Sequence, residues 1–152
     1  MGLIQVATVN VTSNVSSVSL TGINTDDVYM VACSNIFFDS NDDMKIRFTV
    51  SGSADSSSNY DYAHKAMYAD VGFGNTGTSN QSNIDTNQGT GTPGTHPINL
   101  LMYLYNFNSA SEYSFVTYEN AHRNTAQNRT GGFFGGGVLT ETQATDGVHF
   151  YL

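Results

Sequence analysis

The stretch Met44-Lys45-Ile46-Arg47-Phe48-Thr49-Val50 decides the fold class. Met44, Ile46, Phe48 and Val50 take every second place, and Lys45, Arg47 and Thr49 fill the places between. A period of two is that of a strand with one face in a core and the other in water. Val18-Ser19-Leu20-Thr21 repeats the pattern, and Val6-Ala7-Thr8-Val9-Asn10-Val11 carries a weaker form of it. Residues 28–33 are apolar on both faces, which predicts a central strand, and 100–107 are apolar on both faces as well. Residues 113–118 and 148–152 complete the set.

Between these runs stands turn chemistry: Thr21-Gly22, Asn24 to Asp27, Ser40 to Asp43, Ser51-Gly52-Ser53 and Asp146-Gly147. Many short strands separated by such turns predict a sandwich or barrel. The expected fold is all-β, an antiparallel, jelly-roll-like β-sandwich formed by one domain over 1–152. Residual helical tendency is strongest at 60–69, through Ala63, Lys65, Ala66 and Met67.

The composition agrees. At 152 residues and 16.4 kDa the chain has the size of one domain. Charged residues make up 12% of it, about half the usual ~25%, so neutral Ser, Thr and Asn must wet its surface. Those residues compete with helical hydrogen bonds and suit turns and strands. Five Lys and Arg against thirteen Asp and Glu give a net charge of −8, which disfavours nucleic acid and anionic membranes as partners. Cys33 is alone and sits in an apolar run, where a small buried hydrophobe is expected. A basic stretch followed by an apolar one is not seen at the N-terminus, and no apolar run reaches the ~18 residues of a membrane span. A soluble chain made in a reducing cytoplasm is the expectation.

Two segments stand apart. Residues 72–97 are almost wholly Gly, Asn, Thr, Ser and Gln, with Phe73 and Ile84 as their apolar anchors. A long polar loop is expected there, and such loops are commonly functional. Gly131-Gly132-Phe133-Phe134-Gly135-Gly136-Gly137 predicts a bend at a sheet corner, or a tongue presenting two aromatics. The residues expected to contribute to an interface are Phe73, Ile84, Phe133, Phe134, Tyr151 and Leu152.

Catalytic patterns are missing from the sequence. Glu112 and Glu119 are the best-spaced glutamates, yet seven positions apart on one strand they face opposite sides. Asp26-Asp27 and Asp42-Asp43 fall in turns, where Asp bonds the local backbone. His64, His96, His122 and His149 lack the close spacing of a zinc motif. The oxygen-rich Asp39 to Asp43 run has neither the glycine nor the glutamate of an EF-hand. Gly-x-Ser-x-Gly and phosphate-loop patterns do not occur. The expectation is a protein that is not an enzyme and has no cofactor, no metal and no catalytic residue.

A resemblance adds to this reading. Val15 to Ile23 followed by Tyr29-Met30-Val31, the Met44 to Gly52 strand and turn, Tyr60-Asp61-Tyr62-Ala63 and the ending Asp146 to Leu152 resemble small β-sandwich virion proteins of tailed bacteriophages, cyanophage-like ones among them. It covers most of the chain outside 72–97. The resemblance implies a virion structural role, first of all a knob-like decoration protein on the capsid surface, synthesised in the host cytoplasm. It implies other virion proteins as partners, the major capsid protein foremost, and admits a homo-oligomer. The alternative it implies is a tail, neck or fibre appendage touching host glycans through some of the nine Tyr and nine Phe. Similar chains continue past the strand at 148–152, so that strand is expected to pair within an assembly.

Overall fold

The computed structural model describes residues 2–39, 42–87, 96–124 and 128–152. Eleven strands and no helix occur among them. They are β1 (Ser17–Thr21), β2 (Tyr29–Ile36), β3 (Lys45–Val50), β4 (Ser53–Ala54), β5 (Tyr60–Tyr68), β6 (Gly72–Gln81), β7 (Ile84–Asp85), β8 (Ile98–Tyr105), β9 (Ser114–Asn124), β10 (Arg129–Leu139) and β11 (Gly147–Tyr151). Two antiparallel sheets pack together as a β-sandwich. The smaller runs β1-β11-β3-β4, with β7 also on β3, and the larger runs β2-β8-β9-β10-β5-β6.

The alternation at 44–50 is realised in β3 as far as Phe48; Thr49, expected on the wet side, is fully buried and bonds Asp146. Ile46 and Phe48 are fully buried, and Lys45 and Arg47 lie on the outer side. Phe48 meets Tyr60 and Phe107 edge to face, with ring centroids 5.6 and 4.7 Å apart. From the larger sheet come Leu100, Met102, Leu104, Val116, Phe133 and Leu139. Each such side chain stabilises the fold by about 1.5–3 kcal/mol relative to exposure.

β3 is flanked by β11 along its length, but its other side is interrupted. β7 pairs with Lys45 and Ile46, and β4 pairs with Thr49 and Val50. In the gap, the Phe48 N–H donates to the Tyr60 hydroxyl at 3.0 Å and the Phe48 carbonyl accepts from the Asp55 N–H at 2.9 Å. The Tyr60 hydroxyl in turn donates to the Asp55 carbonyl at 3.2 Å. One phenol thus stands where a strand backbone is missing.

Turn residues act as their chemistry dictates. Asn35, Asn80, Asn106, Asn108 and Asn128 all hold positive φ, a conformation Asn tolerates better than most residues. The Asp146 carboxylate accepts from Thr49 Oγ1 and from the Gly52 N–H, and its carbonyl accepts from Gly22 and Ile23. This one residue ties three loops together.

Several expectations are corrected. The residual helical tendency at 60–69 is not expressed: Tyr60–Tyr68 form β5. Residues 6–11 form no strand; all of 2–16 lies outside the sheets and is exposed. β2 is an edge strand of the larger sheet, not a central one. The segment expected as a long loop begins with a ten-residue strand, β6, and also holds β7; residues 88–95 of it lie outside the described residues. The glycine run is neither corner nor tongue but the middle of β10, paired on both sides. The last strand, β11, is paired by β1 and β3 of its own chain, so an assembly is not needed to cover it.

Candidate functional site: the outer face of the larger sheet

Pairing registers place side chains that share a face. Across β9, β10 and β5, Glu119, Phe134 and Lys65 form one row. Thr117, Gly136 and Ala63 form the next, and Ala121, Gly132 and Met67 lie on the other side. Each row continues outward through β8 and β6: Leu101 and Asn75 extend the first, Tyr103 and Gly77 the second, Asn99 and Phe73 the third. Phe115 and Val138 begin a fourth.

This outer face is apolar. Phe134 is 59% exposed and Phe73 72%, with Met30, Met67, Tyr103 and Phe115 also open to solvent. Charged groups on the central strands of the face are Asp61, Lys65, Glu119 and, at the Thr130 end, Arg123, which bonds Thr130 and Asn128. The Lys65 ammonium lies 4.6 Å from the Phe73 ring centroid, a cation–π contact. A shallow groove crosses the strands, floored by Ala63, Thr117 and Gly136 and walled by Phe134 on one side and Phe115 and Val138 on the other. The outer face of the smaller sheet is different: Ser17, Ser19, Lys45, Arg47, His149 and Tyr151 dominate it. There Ser19 Oγ bonds His149 Nδ1 at 2.8 Å and the Arg47 guanidinium covers the Tyr151 ring at 4.6 Å.

The glycines of β10 are fixed by what lies beneath. A Cβ on Gly137 would sit 2.6 Å from Ile84 Cδ1, and one on Gly135 would sit 2.5 Å from His64 Cβ. Ile84, arriving on β7, fills the space that Gly137 leaves. Around Phe133 the interior turns polar. The Tyr118 hydroxyl donates to the Asp85 carbonyl at 2.8 Å, so its oxygen accepts from His64 Nδ1–H at 3.1 Å. Asn120 Oδ1 accepts from the Phe133 N–H at 3.2 Å and from His122 Nδ1–H at 3.3 Å. Both imidazoles therefore carry their proton on Nδ1, assigned from this network. Their Nε2 atoms are buried and find no partner among the described residues. Burial lowers both pKa values from the ordinary 6.5 by disfavouring the charged imidazolium, and the Arg129 guanidinium lowers that of His122 further. These two histidines, 58 positions apart in sequence, both contact the Phe133 ring, with centroids 4.9 and 5.4 Å away.

The expected interface residues separate into three places. Phe73 and Phe134 lie on the apolar face; Tyr151 lies on the opposite, polar face, with Leu152 just past the end of β11. Ile84 and Phe133 are fully buried core residues and offer nothing to a partner, which corrects that expectation. Glu112 precedes β9, and Glu119 lies on the apolar face with no second carboxylate in its row. Burial pushes the Cys33 thiol up to about 11, which makes it a poor nucleophile at neutral pH. No group of three or more His, Cys, Asp or Glu able to hold a metal occurs among the described residues. Met30, Leu101 and Tyr103 also lie on this face, and their signal in the sequence is the second apolar face of 28–33 and 100–107; Met67 and Phe115 join them through the register of β5 and β9.

No protein-family model matches the chain, and neither a curated protein nor a solved structure matches it.

Proposed function

We propose that this chain is a non-enzymatic structural subunit of a bacteriophage particle, a small decoration protein bound to the capsid surface. The observation that carries the reading is the N-terminal arm. Residues 2–16 form no strand and pass back beside the sandwich at Val6, close to Gly22, yet Leu3 and Ile4 are 86% and 88% exposed, with Val6, Val9, Val11 and Val15 about half exposed. Released from the body and fully extended, fifteen residues would span on the order of 50 Å. Such an arm exposes apolar side chains and free backbone groups together, the two things a strand-adding contact uses. Ordering it on a shell lowers affinity per unit area but spreads contact over a wide surface, and many copies add avidity. The sequence resemblance to phage sandwich proteins supplies the kind of shell.

The test is composition of purified particles by mass spectrometry after cosedimentation. The chain is expected in the particle at many copies, and a chain lacking 2–16 is expected to keep its fold but fail to cosediment. Absence of the intact chain from particles would sink the proposal.

A further inference from the structure

We infer that the outer face of the larger sheet is a self-association surface that pairs two copies about a two-fold axis running along β10. The inference goes beyond the virion reading and does not depend on it.

Size comes first. Six strands about 4.8 Å apart, read over the nine residues from Thr130 to Val138, make a face of about 700 Å². Stable protein pairs bury about 600–1,000 Å² on each side. The face is therefore large enough for a dimer if most of it is covered. Its middle carries one charge of each sign, Glu119 and Lys65, beside a row of small side chains, Gly136, Ala63 and Thr117, that lets two sheets approach closely.

Charge then selects the arrangement. Two facing copies related by a two-fold axis along β10 exchange β9 for β5. Glu119 of each copy then meets Lys65 of the other, and Phe134, midway between them in its row, meets its own counterpart. Met67 meets Ala121, large against small. The alternative axis, across the strands through the same row, sets Glu119 against Glu119 and Lys65 against Lys65. Like charges brought together there would repel, so the first axis is favoured. Packed sheets cross at about 30°. A residue one strand from the axis then shifts by only about 2.5 Å, well within the reach of Lys and Glu. Glu119 makes no ion pair within its own chain among the described residues. This is an isologous interface, in which one patch serves both copies.

The experiment uses the full chain in sedimentation equilibrium at micromolar concentration, with far-ultraviolet circular dichroism to check each fold. The parent is expected at twice the 16.4 kDa chain mass. Glu119→Lys and Lys65→Glu, both on exposed positions, are each expected to weaken the dimer by about tenfold or more. Mixed together, the two variants are expected to form a heterodimer near parental affinity, because each supplies the charge the other now lacks. A parent that stays monomeric would overturn the inference and leave the face to a different partner. A dimer indifferent to the reversals, or one the mixture does not restore, would overturn it as well.

Discussion

Replacing Tyr60 with Phe tests whether one side chain substitutes for missing sheet. The ring keeps its volume, so no cavity opens and the contact with Phe48 at 5.6 Å survives. What goes is the hydroxyl that accepts from the Phe48 N–H at 3.0 Å and donates to the Asp55 carbonyl at 3.2 Å. Phe48 is fully buried, so water cannot replace the lost acceptor. An orphaned buried donor costs about 1–3 kcal/mol. The Asp55 carbonyl keeps partial access to water and adds less, which puts the total near 2 kcal/mol. At this chain length that corresponds to a fall in Tm of about 4–8 °C. Scanning calorimetry and urea unfolding measure it, with the midpoint expected to move and the slope to stay. Tyr105→Phe is the control: its half-exposed hydroxyl lies 3.4 Å from Thr117 Oγ1, and its loss is expected to cost less than about 0.5 kcal/mol. A Tyr60→Phe chain as stable as the parent would refute the reasoning, since the Phe48 N–H would then need no partner.

Acid should destabilise the fold before ordinary carboxylates titrate. Burial lowers the pKa of His64 and His122 in the folded state, so the unfolded chain binds more protons below about pH 6.5. Their contribution is complete above that value and is lost as pH falls from it toward the depressed folded pKa values. The slope can reach about 1.4 kcal/mol per pH unit for each histidine; a flat urea midpoint between pH 7 and pH 5 would contradict it. Gly137→Ala should cost about 1–3 kcal/mol through overpacking, because its Cβ would stand 2.6 Å from Cδ1 of the fully buried Ile84. Adding Ile84→Val removes that atom, and the doubly substituted chain is expected to lose less than the sum of the two single changes.

The strands legible in the sequence were those with one wet and one dry face. At 44–50 the two environments write themselves into alternate residues, and the turn at Ser51-Gly52 closes the run. β6 was illegible because neither of its faces is dry. Gly72–Gln81 lies at the edge of a sheet wider than the one beneath it, and backbone pairing with β5 holds it without an apolar stripe. β2 was misplaced for the opposite reason. A second apolar face reads as one buried in its own chain, and here Met30 stands open on the outer face instead. The glycines of β10 suggested a break because glycine usually weakens strands; what they accommodate, Ile84 and His64, approaches from strands far off in sequence. The same distance hid the apolar face as a unit. Phe73 and Phe134 were legible singly, whereas their row-mates on β8 and β9 needed the register.

The position of β11 bears on how the chain is made. It lies between β1 and β3, so the smaller sheet has no centre until residues 147–151 leave the ribosome. Until then Val18, Leu20, Ile46 and Phe48 wait without their sheet partner. The β8-β9-β10 meander, by contrast, joins neighbours in sequence and can form as soon as it is synthesised. Assembly of the sandwich is therefore expected to proceed from the larger sheet to the smaller, since β11 is synthesised more than a hundred residues after β1, which it pairs. For this topology the vulnerable interval is the wait for that strand, when exposed edges of the early strands invite association with other nascent chains.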